Sequence, residues 1–119
     1  MDFSNDSIKP IYMQISEWIE DEILKENIKE EQQILSKNQF ASIYKINPAT
    51  ANKGINILAE EGILYKKRGI GMFVSIGARN KILTKRKKRF IEEYVDKLLF
   101  EGEKLGMNKE EIIDTIKNR

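Results

Sequence analysis

The chain has 119 residues, 40% hydrophobic and 34% charged, with 7 Gly, 2 Pro and neither Cys nor His. That length fits one small domain with an appendage and excludes two full domains, and the composition is that of a soluble, helix-leaning chain. Without Cys or His there is no disulfide framework, thiol nucleophile or usual zinc site, and no cofactor is implied.

The net charge is +2, but it is segregated. Residues 1–35 hold 3 basic and 9 acidic groups, residues 36–77 hold 6 and 2, and residues 78–119 hold 12 and 8. Positive charge therefore begins at Ser36, as a phosphate-facing surface requires. No apolar run approaches the roughly 20 residues that span a bilayer, and Met1-Asp2-Phe3 lacks a signal-peptide pattern, so a cytoplasmic location is expected.

In chain order, residues 1–9 read as a flexible lead. From Pro10, a proline suited to a first helical turn, Ile11, Ile15, Trp18, Ile19 and Ile23 recur at helical spacing. Ile11, Ile15, Trp18 and Ile19 are expected in the core, with Glu17, Glu20, Asp21 and Glu26 in water. Such an acidic helix is scaffold, with Tyr12 and Gln14 near a phosphate at its start. Residues 28–33 read as loop and Gln33-Ile34-Leu35 as a brief strand or an extended lead.

Ser36 is an N-cap, with Gln39 completing a capping box. The helix it opens, about Lys37 to Tyr44, is expected to bury Phe40, Ala41, Ile43 and Tyr44. Pro48 pushes Asn47 out of the α region, so that Asn47 caps a second helix running to about Glu60. A helix, a short turn and a second capped helix form a helix-turn-helix.

In that second helix Ala51, Ile55 and Leu58 point inward, leaving Pro48, Ala49, Thr50, Asn52, Lys53 and Asn56 outside. A helix in the major groove presents its first turns to base edges. Asn52 could pair two-pronged with adenine, Lys53 could reach a phosphate or guanine, and Thr50 could do either. Gly54, costly inside a helix by about 1 kcal/mol, points to close packing or close approach to DNA.

Glu61-Gly62 ends the helix. Ile63–Arg68 reads as a strand, Gly69-Ile70-Gly71 as a tight turn and Met72–Ser75 as the returning strand. Lys66, Lys67 and Arg68 stand at the tip, where Gly69 and Gly71 permit close backbone approach to a groove. Lying between strands, this Gly-x-Gly is not a nucleotide loop.

Seven basic residues fall within residues 79–89. Phe90, Ile91, Tyr94, Val95, Leu98 and Leu99 then continue the pattern of one long amphipathic helix, whose end Gly102 and Leu105-Gly106 weaken. Asn108, with Glu111, caps a final helix carrying Ile112, Ile113 and Ile116. These apolar stripes need a partner, and the same element of a second chain is the expected one. The expected division is a DNA-binding domain over residues 1–77 and a helical dimerisation tail over residues 78–119.

Taken in order, Pro10-Ile11-Tyr12-Met13-Gln14-Ile15, Leu35-Ser36-Lys37-Asn38-Gln39-Phe40-Ala41, Ile46–Ala51, Leu58–Leu64 and Gly69–Val74 resemble the GntR family of bacterial transcription regulators. The short two-helix tail resembles its YtrA subfamily, which lacks a large effector domain. The resemblance implies a mainly α fold with a small β-hairpin, a winged helix-turn-helix on a palindromic operator of double-stranded DNA. It also implies a homodimer, more often a repressor than an activator. It assigns DNA contacts to Ser36, Lys37 and Asn38, to Asn47–Lys53 (Asn47, Ala49, Thr50, Asn52 and Lys53 among them), and to Arg68 and Gly69 in the wing. The chain departs from the family pattern at Leu35 (often Pro), Asn38 (usually Arg), Ala51 (often Val) and Ile70 (commonly Arg or Lys).

A rival reading is a winged-helix protein-interaction or assembly module. An enzyme is disfavoured, because the carboxylates lie on exposed helix faces with no catalytic partner. A small effector is left open, with Tyr94 and Phe100 as its lining; as dimer core they are better explained.

Overall fold

The apolar stripe after Pro10 forms α1, Ile11–Leu24, in a computed structural model that describes residues 3–119. Pro10 is itself the N-cap, one position ahead of the expected first turn. Ile15, Ile19 and Ile23 are buried, and Ile11 and Trp18 pack against them. Glu20, expected in water, is 1% exposed. A stripe drawn through aliphatic residues alone is too narrow to include it; the core-facing arc of a helix is about 100° wide.

The lead also departs from expectation. Phe3 enters an aromatic cluster with Trp18, Phe40 and Tyr44, at centroid distances of 5.2–6.3 Å. Gln14 fastens this lead, accepting from the Ser4 N–H at 3.0 Å and donating to the Ser4 and Lys9 carbonyls at 2.7 and 2.8 Å. Its amide is thereby taken from the phosphate contact expected of it. Met1 and Asp2 lie outside the described residues.

Helices α2, Lys37–Tyr44, and α3, Pro48–Glu60, start and stop where the caps direct. The Ser36 hydroxyl oxygen accepts from Gln39 N–H at 3.1 Å while the Gln39 side chain accepts from Ser36 N–H at 2.8 Å. Lys45, at φ 54°, takes the left-handed position that ends α2. Asn47 then accepts from Ala49 N–H at 2.7 Å and opens α3 with Pro48 at its first turn. Ile43, expected inside, is 59% exposed, because the short α2 buries only Phe40 and Ala41 fully.

The strands are β1, Leu64–Lys67, and β2, Gly71–Val74, paired antiparallel with Tyr65 opposite Phe73. The turn is thus Arg68-Gly69-Ile70, closed by Ile70 N–H to the Lys67 carbonyl at 3.0 Å, and Gly71 belongs to the returning strand. The extended lead before Ser36 pairs with the outer edge of β2, through Glu31 N–H to Val74 O, Val74 N–H to Gln32 O and Ile34 N–H to Met72 O at 2.6–3.0 Å.

Helix α4, Ala78–Phe90, is followed by a π-helical turn, Ile91–Val95, and by α5, Asp96–Lys104. The expected single helix is therefore interrupted by a wider turn. Helix α6, Lys109–Lys117, begins at an Asn108–Glu111 capping box. Gly102, read as a weak end, lies buried inside α5, where a Cβ would stand 2.6 Å from Ile112 Cδ1. It admits α6 to contact.

The chain forms two compact units, Met1–Ile82 and Leu83–Arg119. Ala78 and Ile82 are fully buried in the first unit's core, so the first turns of α4 belong to it and not to the tail expected from residue 78. Among the described residues no helix is long and apolar enough to cross a membrane.

Candidate nucleic-acid interface

Helix α3 is held by its back. Ala51, Ile55 and Leu58 are buried, and Gly54 packs against α1 so closely that a Cβ there would lie 2.6 Å from the Tyr12 carbonyl oxygen and 3.1 Å from Ile15. The Ser16 hydroxyl donates to the Gly54 carbonyl at 2.6 Å. Of the two roles open to Gly54, close packing is the one realised. This docking turns Pro48, Ala49, Lys53 and Asn56 to solvent, with Thr50 and Asn52 partly exposed.

Lys53 does not extend freely. Its ammonium lies 4.0 Å from the centroid of the Tyr12 ring on α1, within cation–π range. Thr50 and Asn52 are thus the base-reading candidates of α3, while Lys53 presents a charge at its junction with α1.

At the start of α2, Lys37 and Asn38 are exposed. Ser36 spends an oxygen lone pair on its cap and keeps a hydroxyl proton for an acceptor. Asn47 likewise uses Oδ1 internally and retains its amide protons.

The wing distinguishes residues that the sequence could not. Lys67 folds over Phe73, at 4.3 Å from its ring centroid, while Lys66 on β1 and Arg68 in the turn are exposed. The two tip glycines differ as well. Gly69, at φ 78°, has nothing within 4 Å of where a Cβ would stand, so its backbone is open to approach. Gly71, at φ 144°, has the Gln33 amide 2.6 Å from its would-be Cβ, so that side of it is covered while the residue stays partly exposed. Gln33 was missed in the sequence because an exposed glutamine in a loop carries no local signal.

The basic run of residues 79–89 is partly internal. Lys81 donates to the Gly62 carbonyl at 3.0 Å, closing the end of α3 beside Gly62, itself left-handed at φ 74°. The tail residues separate into two sets. Val95, Leu99, Ile112 and Ile113 line a groove of about 320 Å³ together with Leu98 and Ile116. Phe90, Ile91, Tyr94 and Phe100 are exposed, with Phe90 and Tyr94 rings 5.5 Å apart.

No protein-family model matches the chain. It is 31% identical over 111 residues to the helix-turn-helix transcriptional repressor YtrA of Bacillus subtilis, covering 93% of this chain and 85% of that protein. The crystal structure of a GntR-family transcriptional regulator from Bacteroides thetaiotaomicron is 33% identical and superposes with a TM-score of 0.76, over 92% of this chain and 95% of that one. The AraR DNA-binding domain, solved in complex with operator ORX1, is 28% identical with a TM-score of 0.57, over 63% of this chain and 93% of that one. The winged helix-turn-helix, the exposed outer face of its second helix and these likenesses agree: the chain belongs to the GntR family of DNA-binding transcriptional regulators and is YtrA-like in its short helical tail.

Proposed function

We propose that the protein is a non-enzymatic repressor that binds a two-fold-symmetric operator as a homodimer. The observation that carries the dimer is the apolar surface of residues 83–119: Tyr94 is 62% and Ile116 58% exposed, beside Phe90, Ile91, Leu98 and Phe100. A surface patch of this kind marks an interaction site, and pairing with its own copy buries it on both chains at once. Two-fold pairing of chains makes two-fold operators, with half-sites about one helical turn apart or a multiple of it. Thr50 and Asn52 read bases, Arg68 and Gly69 enter a groove from the wing, and Ser36, Lys37, Asn38, Asn47 and Lys53 hold phosphates. Repression accords with the name of the YtrA relative, a repressor.

The test has two stages. Sedimentation gives the assembly state, and the protein then selects duplexes from a random-sequence pool. The reading expects a dimer and an enriched inverted repeat. Equal, weak and steeply salt-dependent binding to enriched and scrambled duplexes would instead fit an interaction or assembly module.

A further inference from the structure

The wing is a two-stranded hairpin, and a hairpin of that size is marginal alone in water. It is steadied by the extended lead before α2, whose backbone pairs with β2 as far as Ile34 N–H to Met72 O at 2.9 Å. Beyond Met72 the backbone rungs give way to a side chain. The Gln33 amide donates to the Ile70 carbonyl at 3.0 Å, in the last residue of the turn. Gly71, next to it, leaves free the space that this amide fills: a Cβ there would meet Gln33 Nε2 at 2.6 Å. A hydrogen bond and a vacant Cβ position independently mark the same contact.

We propose that Gln33 is the positioning residue of the wing: its amide stands in for a missing rung and fixes the Arg68-Gly69-Ile70 turn in the conformation that meets DNA. Gln33 lies three residues before the Ser36 cap, so the same segment orients the start of α2 and the tip of the wing. The clamp also sets the direction of Ile70, an apolar side chain 63% exposed at the tip. It makes the wing a preorganised element, so that ordering the turn is no longer a cost of binding. The inference rests on the DNA-reading role proposed above.

The test uses full-length protein and the duplex it selects from a random pool, with fluorescence anisotropy at one fixed salt concentration. Gln33→Met keeps the length of the side chain, loses the donor and adds no charge. Its affinity is expected to fall about three- to tenfold, the worth of one hydrogen bond, with the helical circular dichroism of the wild type retained. In an Arg68→Ala background, where the turn itself has lost the side chain it presents, the same substitution is expected to cost less than about twofold. Gln33→Ala reproduces the loss. Binding of Gln33→Met within twofold of wild type, or an equal loss in both backgrounds, overturns the role assigned to Gln33. Failure of the wild-type protein to enrich any duplex would sink the operator reading itself.

Discussion

The Lys53 ammonium rests 4.0 Å from the centroid of the Tyr12 ring, so a charge on the recognition helix is tied to the scaffold helix behind it. A lysine held in this way acts as a fixed point charge and suits a phosphate better than a base edge. Lys53→Ala is expected to weaken binding about equally on matched and mismatched duplexes and to lower the salt slope by about 1. Anisotropy titrations across a salt series measure both. A selective loss at one base pair would assign Lys53 to base reading instead. Tyr12→Leu removes the ring and is expected to weaken binding about two- to fivefold, in line with an exposed cation–π contact.

Gly54 sets how closely α1 and α3 approach. Gly54→Ala improves helix propensity by about 1 kcal/mol, yet its methyl would enter the space held by the Tyr12 carbonyl and Ile15. Overpacking against a backbone atom costs about 1–3 kcal/mol, so the net effect is expected to be destabilising. Urea unfolding decides the sign, and an unchanged or higher midpoint would show that α3 can move off α1 freely.

The caps of the helix-turn-helix are separate local devices. Ser36→Ala and Asn47→Ala each remove one side-chain bond to a helix N–H and are each expected to cost about 0.5–2 kcal/mol. Chemical denaturation of the single and double variants measures this, and near-additive losses are expected if the two caps act independently. A loss below about 0.3 kcal/mol at either site would mean that packing alone fixes that helix start.

The tail is expected to dimerise through its exposed apolar residues. Leu98→Glu places a charge in the apolar groove, and Tyr94→Glu places one on the exposed aromatic side. Either is expected to shift sedimentation from dimer towards monomer and to weaken operator binding, while the first unit stays folded. Truncations should begin after Ile82, because Ala78 and Ile82 belong to the first core. A truncated chain ending at Ile82 that still sediments as a dimer would move the interface elsewhere.

What was legible in the sequence was local chemistry. Ser36 with Gln39, Asn47 with Pro48, Asn108 with Glu111, and Gly62 after α3 each satisfy or end a helix with residues three or fewer positions away. Their boundaries could be read without knowing the fold. The inward stripe of α3 was legible for the same reason, since period alone sets it. What escaped depends on partners far along the chain. Phe3 meets Trp18, Phe40 and Tyr44; Gly102 makes room for Ile112; Gln33 reaches Ile70. Glu20 and Ile43 were misplaced because burial follows the width of the packed face, not the polarity of one residue. The π turn at Ile91–Val95 adds a phase shift that a strict 3.6-residue period does not contain.

Asn52, on the outer face of α3, decides whether that face reads sequence. Wild-type protein and Asn52→Ala are each used to select duplexes from the same random pool. Wild type is expected to enrich an inverted repeat, and Asn52→Ala to lose preference at one symmetric pair of positions, a discrimination of about 1–3 kcal/mol, while binding to non-selected DNA is unchanged. Identical enriched motifs from the two proteins would contradict sequence reading by that face.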